Sequence, residues 1–227
     1  MSQLPDLHVV DDPIRSVGEL IAERAGQGGS IVLTGGASVG DAYELAAGLQ
    51  PDWSQVSVWW GDERCVPPDD ERSNYRLGKE TLLDRLAVAP SAVHRMRGEL
   101  EPSAAADEYE SALAGVDLEL LLLGLGSDGH MASLFRGSPQ AEVEDRRVTW
   151  GPAGLEPFVD RVTLTLPAIH SAKRIVFLVA GAGKADAVAK AFGGEISREV
   201  TASLSRLAPV PVEVFLDPSA AAKLETQ

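Results

Sequence analysis

Cysteine is nearly absent from this chain: Cys65 stands alone among 227 residues. A lone cysteine excludes an intramolecular disulfide and a cysteine-built metal centre, and reads as a small buried hydrophobe. Basic residues are scarce too. Twenty Lys and Arg face 34 Asp and Glu, a net charge of −14, which opposes nonspecific binding to nucleic acid or an anionic membrane. No apolar run approaches the ~20 residues that span a bilayer. The opening MSQLPDLHVVDD lacks the basic segment and apolar stretch of a signal peptide. The expectation is a soluble, cytoplasmic chain with neither nucleic acid nor membrane as partner. Nothing in the composition sets an oligomeric state, and a monomer is compatible with it. Acidity also imposes a condition: an anionic small ligand would need a local positive pocket, made by a few cations and helix N-termini against the field of the whole molecule.

What is present is ordinary for a globular protein: 44% of the residues are hydrophobic, enough for one α/β domain over residues 1–227 with a sizeable core. Apolar, β-branched runs recur at 7–10, 31–34, 56–60, 118–124, 174–180 and 212–216. Near-continuous apolar character predicts strands covered on both faces. Between them, helical spacing recurs at 13–25, 39–49, 73–86, 103–113, 183–192 and 197–207, with a short last helix from Pro218. Alternation of this kind predicts a Rossmann-like, doubly wound, mostly parallel sheet with helices on both faces. The segment 136–157 reads as a surface excursion. RVTLTL at 161–166 alternates like a strand exposed on one side, at an edge or in a small β addition.

Ligands of open α/β sheets bind beyond the carboxyl ends of the strands, and four loops there are unusual: TGGASVGD, GDERCVPPDDERSNY, GLGSDGHMASLF and GAGKAD. In the first, G-x-S-x-G (Gly36, Ser38, Gly40) could make Ser38 a nucleophile on a strained elbow. Alternatively, Gly35, Gly36 and Ser38 at a helix start could cradle a phosphate, or simply connect strand to helix. No oxyanion loop of the HGGG type precedes it, and Asp41 occupies the position of a Walker lysine. GLGSDG satisfies G-x-G-x-x-G, but RGSP interrupts the following segment and Asp128 would repel a pyrophosphate, which argues against a dinucleotide site.

In the same loop Asp128 and His130 flank Gly129, close enough for the carboxylate to fix an imidazole tautomer, an arrangement suited to a general base. His8, His94 and His170 sit in no such context and read as satisfied polar side chains. Asp62, Glu63 and Arg64 with Arg72, Ser73, Asn74 and Tyr75 form either a solvated charged turn or a group that holds a sugar hydroxyl and a phosphate. Lys184 lies at a helix start, where a cation opposes the dipole; an anionic ligand would be its natural partner.

Taken in order, GGAS after a strand, WGDERCVP with SNY downstream, LGLGSDGHMASLF, RVTLT and GAGKA resemble the 6-phosphogluconolactonase family over nearly the whole chain. Its superfamily includes glucosamine-6-phosphate deaminase and is similar in fold to ribose-5-phosphate isomerase. The resemblance implies hydrolysis of 6-phospho-D-glucono-1,5-lactone to 6-phosphogluconate, in the oxidative pentose phosphate pathway, with no metal or organic cofactor. It makes His130 the base that activates water and Asp128 its orienting partner. Gly35, Gly36 and Ser38 would take the phosphate with Arg64 and Lys184, while Asp62, Asn74 and Arg161 would contact the sugar or support the loops. The chain departs from the family pattern at Ala37-Ser38, at Met131 and at Arg136, the last offering an added cation at the site mouth. The rival activities are an amino-sugar-phosphate deaminase or isomerase, a serine esterase using Ser38, and a sugar-phosphate sensor without turnover.

Overall fold

Successive residues of the central strands face opposite ways and enter two cores, one on each face of the sheet, which is why their sequences are apolar throughout. The computed structural model describes residues 4–36 and 38–224; Ala37 and the first three residues, on which part of the reading above falls, lie outside the described residues. The chain runs through β1 (Asp6–Val9), α1 (Pro13–Gln27), β2 (Gly29–Leu33), α2 (Val39–Leu49), β3 (Val56–Trp60) and β4 (Asp62–Arg64). It continues through α3 (Asn74–Thr81), β5 (Ala92–Val93), α4 (Pro102–Ala112), β6 (Leu120–Gly124), β7 (Val148–Gly151) and β8 (Arg161–Leu164). The last elements are α5 (Leu166–His170), β9 (Ile175–Val179), α6 (Ala185–Val188) and β10 (Val212–Leu216).

Seven strands form one sheet in the order β1-β10-β9-β6-β2-β3-β5, with every pairing parallel. This is the doubly wound α/β fold expected. Ile31 and Leu33 of β2, Leu120 and Leu122 of β6, and Val176 and Leu178 of β9 join the core beneath α1 and α2. Their neighbours Val32, Leu121, Leu123 and Phe177 join the core on the opposite face, under α4. Helix α1 begins where Asp12 accepts the Arg15 N–H at 2.9 Å with Pro13 in the first turn. It buries Val17, Leu20, Ile21 and Ala25, one face at helical spacing.

The small β addition is a second sheet, β4-β8-β7, antiparallel throughout. Several expectations need correcting. RVTLTL is neither exposed on one side nor at an edge: β8 is the middle strand and all four of its residues are buried. The excursion 136–157 contains β7 and a 3-10 turn, Pro139–Glu142, with Gln140 and Ala141 buried. Conversely, β1 is not covered on both faces, since Leu7 and Val9 are exposed. Residues 183–192 are a composite of 3-10, α and π turns. In the next segment only Thr201–Leu207 is helical, as a 3-10 turn. Its start is taken by a side-chain bond, the Ser203 hydroxyl accepting the Ser197 N–H at 2.9 Å. Beyond Pro218 the chain makes turns rather than a helix, closed by Asp217 accepting the Ala220 N–H.

Candidate active site

Sheet order places the site. From β2 the chain moves outward to β3 and β5 on one side, then returns to β6 on the other. The loops leaving β2 and β6 therefore part company, and a crevice opens at their carboxyl ends. A cavity of about 460 Å³ occupies that place. Of the ten residues singled out from the sequence, eight line it: Gly35, Gly36, Ser38, Asp62, Arg64, Asn74, His130 and Lys184.

His130 ends a tight turn closed by the Gly126 N–H donating to the His130 carbonyl at 2.8 Å. A Cβ on Gly126 would sit 2.1 Å from His130 Nδ1, so only glycine fits there. No helix follows this glycine-rich stretch. Asp128 Oδ1 lies 2.6 Å from His130 Nδ1 and also accepts the His130 N–H at 3.2 Å. Because a carboxylate can only accept, Nδ1 carries the hydrogen, and in the neutral ring the lone pair is then on Nε2. The hydrogen bond from His130 holds the Asp128 carboxyl below the usual carboxylate range, against partial burial. Phe135 packs on the imidazole, ring centroids 4.6 Å apart.

The same cavity holds two cations, Arg64 and Lys184. Arg64 donates Nη1 to the Arg72 carbonyl at 2.7 Å and to Asn74 Oδ1. The Asn74 amide donates to the Asp62 carbonyl at 2.9 Å and to Asp62 Oδ1 at 3.1 Å. Lys184 Nζ donates to the Leu125 carbonyl at 2.7 Å, and burial lowers its pKa. Gly35 leaves no room for a side chain, since its Cβ would fall 2.0 Å from Asn74 Oδ1. Ser38 heads α2 without a side-chain cap bond. Among the described residues the histidine–carboxylate contacts are His8–Asp6 and His130–Asp128; neither imidazole is bonded to Ser38, so no triad forms around it.

Two residues sit differently from the expectation of direct contact. Arg161 is buried outside the cavity lining, its guanidinium donating to the Val159 and Pro157 carbonyls at 3.0 and 2.9 Å. Those bonds hold the 157–159 loop. Arg136 is not a free cation at the mouth: it is exposed and paired with Glu199 at 2.5 Å. One participant was overlooked in the sequence. Ser133 donates to Asp62 Oδ2 at 2.6 Å and so ties the His130 loop to β4; its place in the run DGHMAS was the available signal. Among the described residues no group of three or more His, Cys, Asp or Glu converges as a metal site. Nor is any helix long and apolar enough to cross a membrane.

A family profile described as glucosamine-6-phosphate isomerases/6-phosphogluconolactonase matches residues 8–214. The chain belongs to this family. A 6-phosphogluconolactonase of Mycobacterium leprae is 39% identical over 212 residues, covering 86% of this chain and 84% of the relative. The solved structure of 6-phosphogluconolactonase from Trypanosoma cruzi superposes with a TM-score of 0.85 at 25% identity, covering 100% of this chain and 99% of that one. A monomeric glucosamine-6-phosphate deaminase has the same TM-score at 20% identity, covering 96% and 99%. At that identity the likeness is one of fold, which the family's two activities share.

Proposed function

We propose that this protein hydrolyses 6-phospho-D-glucono-1,5-lactone to 6-phosphogluconate, with His130 activating water and no covalent enzyme intermediate. One observation carries the reading: an imidazole with Nε2 left basic by Asp128 shares a single cavity with Gly35, Gly36, Arg64 and Lys184. A phosphate held by the cations and the start of α2 leaves the lactone ring to reach toward His130.

The chemistry balances simply. Nε2 takes a proton from water as its oxygen bonds to C1, giving a tetrahedral oxyanion. Collapse restores the carbonyl and breaks the bond from C1 to the ring oxygen, which receives the proton back from His130. The carboxylic acid then ionises, releasing one proton. A lactone is an activated ester, so one positioned base, worth ~10²–10⁴-fold, together with orientation through the remote phosphate suffices without a nucleophilic serine.

The test is a pH-stat assay of freshly made lactone, corrected for spontaneous hydrolysis, on wild type and His130→Ala. The expected loss in kcat is ~10²–10⁴-fold, with no labelling of Ser38 by a fluorophosphonate. Equal activity of the two proteins would overturn the assignment of the base. Ammonia release from glucosamine 6-phosphate without lactone hydrolysis would transfer the protein to the deaminase branch.

A further inference from the structure

We infer that Glu63 is the positioning residue for the phosphate end of the site, fixing the Arg64 guanidinium by fastening the start of α3 to β4. The inference rests on the functional reading above, in which Arg64 receives the phosphate.

Glu63 is 2% exposed, and no cation forms an ion pair with it among the described residues. A buried carboxylate without a cation is costly unless donors surround it. Here four do. Oε1 accepts the N–H groups of Arg64 at 2.7 Å and Asn74 at 2.8 Å. Oε2 accepts the Tyr75 N–H and the Ser73 hydroxyl, both at 2.8 Å. Asn74 and Tyr75 open α3, and first-turn N–H groups have no acceptor within their own helix. One carboxylate thus satisfies two of them, meets the positive end of the helix, and binds the chain at Arg64.

The consequence reaches the ligand side through Asn74. Its side chain bridges Asp62 and Arg64, and it lies against Gly35 of the phosphate loop. Arg64 Nη1 has its two protein acceptors at Arg72 and Asn74, both in the segment that Glu63 anchors. Glu63 touches no part of the cavity itself; its effect passes entirely through Asn74 and Arg64. Replacing it by glutamine keeps the shape but turns one acceptor oxygen into an NH₂ donor, which confronts either the Arg64 and Asn74 pair or the Tyr75 and Ser73 pair. Facing Arg64 and Asn74, the amide leaves two N–H donors without an acceptor; facing Tyr75 and Ser73, it leaves the Tyr75 N–H without one, since the Ser73 hydroxyl can turn and accept, and in either case the start of α3 must shift.

The test compares wild type, Glu63→Gln and Ser73→Ala by steady-state kinetics on the phosphorylated lactone and on glucono-1,5-lactone. Affinity for 6-phosphogluconate is measured by calorimetry on the same full-length proteins. Glu63→Gln should raise KM for the phosphorylated lactone, and weaken product binding, by ~10-fold or more while kcat changes by less than ~3-fold. The KM increase should be absent for the lactone that lacks phosphate. Ser73→Ala, which removes one donor to Glu63 together with the cap acceptor of the Arg76 N–H, should act in the same direction by ~2–3-fold, and it carries the test if the glutamine variant does not fold. Product affinity equal to wild type in a folded variant, or equal losses on both lactones, would overturn the inference. A wild type that binds 6-phosphogluconate but leaves the lactone untouched would contradict the hydrolytic reading instead, and calorimetry would still decide the role of Glu63.

Discussion

The hydrogen on His130 Nδ1 decides what the other ring nitrogen can do, and Asp128 holds it there at 2.6 Å. Asp128→Asn offers an amide that can present either a donor or an acceptor, so the tautomer is no longer enforced. We expect kcat to fall about tenfold or more with KM little changed. Stability should respond to pH in a definite direction. The Asp128 carboxyl is held below its ordinary range by His130, so its stabilising contribution is complete above the unfolded-state value and fades as pH falls through the folded one. Urea denaturation should therefore show Asp128→Asn less stable than wild type at neutral pH, with the gap closing in acid; a gap that widens in acid would refute the pairing. This pair was legible in the sequence because glycine spacing and a neighbouring acid set His130 apart from His8, His94 and His170. The partners of Arg161 were not, since only the fold brings the carbonyls of the 157–159 loop to its donors.

At the scale of elements, two buried tyrosines hold the strand ends from which the site loops leave. Tyr43 of α2 accepts the Thr34 N–H and donates to the Thr34 carbonyl, each at 2.8 Å. Tyr109 of α4 does the same for Trp60, at 2.8 and 3.1 Å. Each hydroxyl stands in for a neighbouring backbone at the point where β2 or β3 leads into a loop. Burial pushes both phenols above their ordinary pKa, so both stay neutral. Tyr43→Phe and Tyr109→Phe should each cost ~1–3 kcal/mol by urea denaturation, the penalty for orphaned buried backbone groups. Both should also raise KM for the phosphorylated lactone, Tyr43→Phe by releasing the glycine loop and Tyr109→Phe by loosening the strand end that leads into Arg64. No stability loss in either variant would contradict this account of the loops. The parallel strands were readable because both faces are covered and the runs are apolar throughout. β8 was misread because threonine signals an outward face. Here the Thr163 hydroxyl donates to the Leu164 carbonyl and accepts the Ser133 N–H, and Thr165 donates to the Arg146 carbonyl. Polar atoms satisfied internally leave no trace in a pattern of alternation.

For the whole molecule, a charge of −14 and the phosphate dianion of the proposed substrate pull in opposite directions. The surface field acts at long range and is screened within a Debye length of ~8 Å at 0.15 M salt. Arg64 and Lys184 act at contact from partly buried positions, where screening is weaker. Raising ionic strength from low to physiological should thus increase kcat/KM for the phosphorylated lactone and leave that for glucono-1,5-lactone flat; a decrease for the former would mean that the local cations govern encounter. The location of the pocket follows from the strand order, which follows in turn from where β6 returns beside β2. A crystal structure with 6-phosphogluconate bound shows whether His130 and the cationic nest hold one molecule between them. The phosphate is expected on Gly35, Gly36, Arg64 and Lys184, with the C1 carboxylate beside His130 Nε2. A ligand lying in the reverse orientation, or bound outside this crevice, would contradict this placement.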